Sequence, residues 1–188
     1  MTALRATPAR LGTAIGAAAV VGAALGLAGG AVQWIALAAF VLVGIALAVV
    51  DAREQRLPDL LTLPLAAFLA ALVWVAAIVG SDIAIALVAT LTAVGFALIL
   101  FLLGLAGGLG LGDVKLGLSI GLLLGLVAWH LPLIALLAAC ILALPQAIAG
   151  LIRRRRRPDA PGHLAFGPYL VGGTVLVMAG VLVSALQD

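Results

Sequence analysis

Charged residues are scarce in this sequence, and their scarcity limits the class of protein. Only 9% of the 188 residues are charged and 66% are hydrophobic. Because soluble domains carry about 25% charged residues, this chain has too few to cover a surface that faces water. The short alternating segments of a membrane β-barrel are also missing, whereas apolar runs reach the ~20 residues of a membrane-spanning helix. The sequence therefore predicts an all-α, polytopic helical membrane protein.

Cysteine and histidine are almost absent, which limits the chemistry. Cys140 is the one cysteine and lies in an apolar stretch, so a disulfide framework and a CxxC metal site are excluded. The two histidines, His130 and His163, fall on opposite sides of the predicted membrane and cannot form a shared metal centre. The sequence contains no HExxH motif and no P-loop. We expect neither a metal nor a cofactor.

Polar residues divide the chain, interpreted as one membrane domain over 1–188, into about seven spans. The predicted spans cover residues 11–29, 31–50, 60–79, 83–103, 114–129, 133–152 and 164–186. The first span has a second interpretation as a cleaved secretory signal, because Arg5 and Arg10 precede it and small residues follow it. We expect a retained helix, since the apolar run is long for a signal core and continues almost directly into the second span.

Every basic residue falls on one side of this arrangement. The basic residues lie before the first span, between the second and third, at the start of the fifth and between the sixth and seventh (Arg5, Arg10, Arg53, Arg56, Lys115 and residues 153–157). The positive-inside rule makes that side cytoplasmic, so the N-terminus is predicted to lie in the cytoplasm. The protein itself is predicted to lie in the inner or plasma membrane. Despite a pI of about 10.0, we expect the arginine run to contact anionic lipids and not nucleic acid.

Three aspartates lie at cytoplasmic span ends, where a carboxylate is costly. Asp59 follows Pro58 at the start of the third span, which is ordinary helix-start chemistry. Asp51 closes the second span, where the helix dipole disfavours an acid, so its presence there suggests a function. The alternative is that the helix ends early and Asp51 is a hydrated side chain at the membrane surface. Asp113 opens the fifth span behind a glycine-rich loop, and a capping role would also explain it. Glycine lets another backbone approach closely.

Two acids on one membrane face permit a specific reaction. Carboxyl groups that share a site hold one proton between them. The ionised one can therefore deprotonate water while the protonated one polarises a scissile carbonyl and later supplies a proton. The positive end of the helix dipole should lower the pKa of Asp113, so we expect the proton mainly on Asp51, with Asp113 as the base. The alternative is a non-enzymatic transporter or assembly scaffold whose acids bind protons or cations. In transporters, the acids that bind the coupled ion or proton lie near the bilayer midplane, whereas Asp51 and Asp113 lie at span ends.

Three motifs resemble those of prepilin peptidases, which belong to the GxGD aspartyl membrane proteases. "DAREQRLPD" at 51–59 is similar to their D-x5-[IL]-P-D element, "GLGDVKL" at 110–116 to the GxGDxKL element, and "LAFGPYLVGG" at 164–173 to a later [IL]-x-F-G-P stretch. The resemblance covers about residues 40–175 and implies that Asp51 and Asp113 are catalytic. The other matching residues are Pro58, Asp59, Gly110, Gly112, Lys115, Phe166, Gly167 and Pro168.

By this resemblance the chain cleaves the short basic leader of type IV prepilin-like precursors at the cytoplasmic membrane face. Larger members carry an insertion with paired CxxC motifs, which is associated with methylation of the new N-terminus. Here only "GG" at 29–30 separates the first two spans. The chain thus resembles the short members that serve Flp/Tad-type or archaellin-like substrates, and we expect cleavage without N-methylation.

Three further features carry structural expectations. Two sets of glycines recur at spacing four, Gly22, Gly26 and Gly30 and again Gly117, Gly121 and Gly125, a pattern that favours close helix packing in lipid, with chance periodicity as the competing explanation. Lys115 is either a snorkelling membrane anchor or a counter-charge for the acids. Residues 166–168 are expected to form a wall near the site.

Overall fold

The computed structural model describes residues 31–54, 59–106, 109–156 and 165–185, and these ranges are helical apart from short connections. Their helices are α1 (Ala31–Glu54), α2 (Asp59–Val79), α3 (Ile83–Leu105), α4 (Leu111–Gly125), α5 (Leu131–Arg156) and α6 (Gly167–Ala185). The all-α prediction is confirmed for this part of the chain. The first predicted span, 11–29, lies outside the described residues, so the seven-span arrangement stays a prediction.

Four of the helices are long and apolar enough to cross a membrane. Their apolar windows are Trp34–Asp51, Leu60–Val79, Ile83–Leu105 and Leu131–Ile152. Large apolar side chains on their outer faces are exposed, including Leu42, Leu91 and Leu137. Water-soluble proteins rarely expose this much apolar surface. The exposed apolar side chains therefore indicate a multi-pass membrane protein.

Helix α4 is the centre of the bundle. It contacts each of the other five described helices, and most of its residues are buried. The prediction placed this helix at 114–129, whereas it begins at Leu111 and ends at Gly125. After it, the N–H groups of Val127 and Ala128 both donate to the Leu124 carbonyl and turn the chain. Asp113 consequently lies inside the first turn of α4 and not ahead of the helix.

Glycines on one face of α4 allow α3 to approach closely. A Cβ added at Gly121 would lie 2.3 Å from the Cα of Ala93, and one at Gly117 would lie 2.5 Å from the Cδ1 of Leu100. At Gly125 the backbone of α3 is again within 3.0 Å. Residues four apart share a helix face, so the predicted close packing is confirmed for this set, between two helices of the same chain. Gly22, Gly26 and Gly30 lie outside the described residues.

Helix α6 packs between α1 and α5. A Cβ at Gly44 of α1 would lie 3.0 Å from the Cγ1 of Val171 in α6. On the other side, the Tyr169 hydroxyl of α6 donates to the Oε1 of Gln146 in α5. These contacts hold the first turns of α6 beside the last turns of α1, where Asp51 lies.

Candidate active site

Asp51 lies in the last turn of α1, and its side chain is only 4% exposed. The helix continues to Glu54, so the alternative of an early helix end with a hydrated acid is wrong. Its Oδ2 accepts a hydrogen bond from the Gly167 N–H at 3.1 Å, across 116 residues of sequence. The fold therefore joins the first predicted motif to the third.

The start of α6 explains why Gly167 has a donor to offer. The first N–H groups of a helix find no partner within that helix. Here the N–H groups of Tyr169 and Leu170 both donate to the Phe166 carbonyl, at 3.0 and 3.1 Å, and Pro168 has no N–H. The Gly167 N–H is thus left for the acid of α1. The positive end of the α6 dipole opposes the negative end of α1 and offsets part of the conflict expected from the sequence.

Asp113 is buried in the first turn of α4, with 5% of its surface exposed. Its Oδ2 accepts from the Gly110 N–H at 3.2 Å, and its own N–H donates to the Gly110 carbonyl at 3.1 Å. This reciprocal pair resembles half of a capping box, so one carboxyl oxygen helps to close the helix start, although Gly110 and not Asp113 is the N-cap residue. Within the described part of the chain, the buried Oδ1 has no hydrogen-bond partner. This second oxygen can therefore bind another group.

The two acids lie near enough for their charges to interact. Burial raises the pKa of Asp113, which stands ahead of the apolar stretch that begins at Val114, to about 6. The Gly110 hydrogen bond lowers this pKa and the negative charge of Asp51 adds to the rise. The expectation that the helix start would lower the pKa of Asp113 is wrong, because the loss of solvation outweighs the helix dipole.

Three of the other predicted residues, Gly110, Gly112 and Lys115, lie next to Asp113 at the start of α4. Gly110 caps α4 in an extended conformation, at φ −83° and ψ 156°, so it does not use the left-handed region open to glycine. Gly112 and Lys115 follow in the first turns of α4 and are half-buried; the role of Lys115 stays a prediction. Helix α2 begins at Asp59, and Pro58 lies outside the described residues.

The predicted wall at 166–168 lies against Asp51. Phe166 and Pro168 are half-buried and Gly167 is buried. What the sequence did not reveal is that the contact uses a backbone N–H; the Gly-Pro pair at a helix start was the available signal, since it leaves one donor. In the described ranges, no group of three His, Cys, Asp or Glu side chains is placed to hold a metal ion.

These observations describe a multi-pass helical membrane protein in which two buried aspartates from different helices lie at one end of the bundle and interact electrostatically. The sequence matches the type IV leader peptidase family over residues 38–148, and the chain belongs to that family. It is therefore a member of a peptidase family, and the matched range contains Asp51 and Asp113. Curated proteins and solved structures give no match.

The raised pKa of Asp113 predicts how stability changes with pH. Because this carboxyl has a pKa of about 6 in the folded protein against an ordinary 3.8, the folded state binds more protons between these values. The contribution of Asp113 to the free energy of unfolding is thus largest at low pH and falls as the pH rises from about 4 to 6. We expect Asp113→Asn to flatten this part of the curve of unfolding temperature against pH, measured in detergent.

Asp82→Asn is the matched control for this measurement. Asp82 is exposed and caps α3 by accepting the Ile85 N–H, and asparagine caps a helix about as well. The control should keep the wild-type slope between pH 4 and 6. Equal slopes for wild type and Asp113→Asn would contradict the raised pKa.

Proposed function

We propose that this protein is an aspartic endopeptidase that cleaves the basic leader of type IV prepilin-like precursors at the cytoplasmic membrane face. One observation carries the proposal: Asp51 and Asp113 are buried in one site and interact electrostatically. The family supplies the reaction class, and the paired acids supply a mechanism that needs only water. Flp/Tad-type or archaellin-like precursors are the proposed substrates.

Asp113 holds the shared proton in this mechanism, and Asp51 is the base. Burial raises the pKa of Asp113 to about 6, and the negative charge of Asp51 adds to the rise; we therefore place the proton on Asp113 and the negative charge on Asp51. This assignment reverses the one derived from helix dipoles. Desolvation of a carboxyl group can shift its pKa by several units, whereas a helix end contributes about 0.3–1 kcal/mol at exposed sites.

The reaction proceeds in two proton-balanced steps. The Asp51 carboxylate takes a proton from water as the water oxygen bonds to the scissile carbonyl carbon, and Asp113 gives its proton to the carbonyl oxygen. In the second step Asp51 returns its proton to the leaving nitrogen and the C–N bond breaks. Asp113 regains a proton from a hydroxyl of the intermediate, and the pair returns to its starting state.

The position of the site supports a cut between a basic leader and an apolar helix. The last turn of α1 and the first turns of α4 and α6 meet at the same end of the bundle. That end also carries Lys115 and the arginines at the end of α5, which the positive-inside rule assigns to the cytoplasm. The same arginines are the proposed contact for anionic lipids. The single cysteine and the "GG" connection at 29–30 support cleavage without N-methylation.

A direct assay tests this function. Purified protein in liposomes is incubated with a synthetic precursor that joins a short basic leader to an apolar helix, with and without S-adenosylmethionine, and the products are identified by mass spectrometry. We expect one cut after the leader and an unmethylated product. An intact precursor would contradict the proposal, and a methylated product would contradict its second part.

The cytoplasmic location predicts one pattern of cysteine labelling. In a Cys140→Ser background, chosen because Cys140 is exposed, we expect Gln55→Cys, Leu109→Cys and Ala160→Cys to react with a membrane-impermeant maleimide only from the cytoplasmic side. Ser81→Cys, at an exposed turn between α2 and α3, should react only from the opposite side. Outside labelling at any of the first three positions would contradict the orientation.

A further inference from the structure

We infer that Gly167 is a positioning residue of the peptidase site, and that it acts through its backbone N–H by fixing the carboxyl group of Asp51. The inference rests on the proposed function, because it assigns a task to a residue that touches a catalytic acid. Gly167 has no side chain, so the assignment concerns only its backbone N–H, which donates to the Asp51 side chain.

The hydrogen bond between these residues is well suited to this task. An aspartate carboxyl turns about two side-chain bonds, and catalytic groups work only within about 0.5 Å of their productive position. Asp51 is almost fully buried, so bulk water does not compete for the oxygen that accepts the Gly167 N–H. Gly167 is buried as well. The bond therefore sets the direction of one carboxyl oxygen and leaves the other for the reaction.

The sequence of the turn leaves one donor for this bond. The Phe166 carbonyl already accepts the N–H groups of Tyr169 and Leu170, and proline at 168 offers none. A different residue at 168 would bring a second N–H into the same first turn, where helices have no internal partner for it. The order Phe166-Gly167-Pro168 thus leaves a single N–H group to donate to Asp51.

The helix that carries the donor is itself held in place. A Cβ at Gly173 would lie 2.5 Å from the carbonyl oxygen of Ala135, so the backbones of α6 and α5 are in close contact. The Tyr169 hydroxyl, two residues after the donor, is bonded to Gln146 of α5. Sites on packed helices are more rigid than sites on loops, and α6 therefore presents Gly167 at a fixed distance from α1.

A backbone substitution tests the role without adding a side chain. Glycolic acid placed at position 167 by cell-free translation with a suppressor tRNA replaces the N–H by an ester oxygen. We expect kcat to fall about 10- to 100-fold, the loss that corresponds to one hydrogen bond to a charged group. KM should not change, because the donor contacts the acid and not the substrate. Glycine delivered by the same tRNA should restore kcat.

The matched control is an ester at Gly180. This glycine lies in the same helix, is exposed and has open space around its Cα, so its ester removes a helical N–H far from the site. Its kcat should equal that of wild type. An unchanged kcat for the 167 ester, an equal loss for the 180 ester, or a change confined to KM would each overturn the inference.

Two further variants keep the outcome unambiguous. If Asp51→Asn still cleaves the precursor, the proposed function fails; if Asp51→Asn is inactive while the 167 ester is fully active, only the role of Gly167 fails. If the 167 ester does not insert into the membrane, Tyr169→Phe takes its place, because it removes the bond to Gln146 and keeps every N–H. It should lower kcat by a smaller factor at constant KM, and an unchanged kcat would overturn the inference.

Discussion

Asp51→Asn and Asp113→Asn are each expected to abolish cleavage while the protein still inserts into the membrane. Asparagine is almost the same size as aspartate, so the packing around both buried positions is preserved, but it can neither take up nor donate the catalytic proton. Positioned acid–base catalysis contributes about 10²- to 10⁴-fold, and each acid of the pair needs the other. The measurement is the rate of precursor cleavage in liposomes, followed by mass spectrometry.

Two other aspartates provide controls for this experiment. Asp82→Asn changes an exposed cap of α3 and should leave the rate unaltered. Asp59→Asn should keep substantial activity, because α2 begins at this residue and asparagine caps a helix about as well as aspartate. Complete loss in Asp59→Asn as well would contradict a two-acid site.

The double variant separates a catalytic pair from two independent structural roles. Groups that act as one unit give strongly non-additive losses, so any background rate left in Asp51→Asn combined with Asp113→Asn should equal that left in either single variant. Cleavage retained in either single variant would exclude the acid-pair mechanism. It would favour the alternative interpretation from the sequence, in which the acids of a non-enzymatic membrane protein bind protons or cations.

Most helix boundaries could be predicted because polar residues interrupt the apolar runs. The turn after α2 at Gly80 and the start of α3 at Ile83 agree with the prediction. The start of α4 differs from the prediction, because the glycine-rich stretch before Asp113 indicated a loop. The bonds between Gly110 and Asp113 close the first helical turn earlier, and the sequence pattern gives no measure of that local closure.

The motifs predicted Asp51 and Asp113 as the candidate acids, and the burial of both agrees with a special role, but their surroundings could not be predicted. The donor to Asp51 is a backbone N–H 116 residues away, and no property of the Gly167 side chain indicates where that group points. The pKa of Asp113 could not be predicted from the sequence either. Its rise depends mainly on burial, which is a consequence of the packing of α4 among five helices, whereas dipole reasoning needs only the position within one helix.

The packing of α3 against α4 predicts a large loss of stability from adding one methyl group. Gly121→Ala introduces a Cβ that would lie 2.3 Å from the Cα and 3.0 Å from the Cβ of Ala93. Because the nearest atom belongs to the backbone, no side-chain rotation relieves the contact, and the two helices must separate. Overpacking of this kind costs about 1–3 kcal/mol or more. Cleavage should fall too, since Asp113 is carried by the displaced helix.

Gly95→Ala makes the same chemical change where there is room for it. Gly95 lies in α3, and no atom outside its own helical backbone is within 4 Å of its added Cβ. Alanine is favoured over glycine in a helix by up to about 1 kcal/mol, so the unfolding temperature of Gly95→Ala in detergent should equal or exceed that of wild type, while that of Gly121→Ala should drop. Equal unfolding temperatures for the two variants would mean that α3 and α4 are not packed backbone to backbone at Gly121.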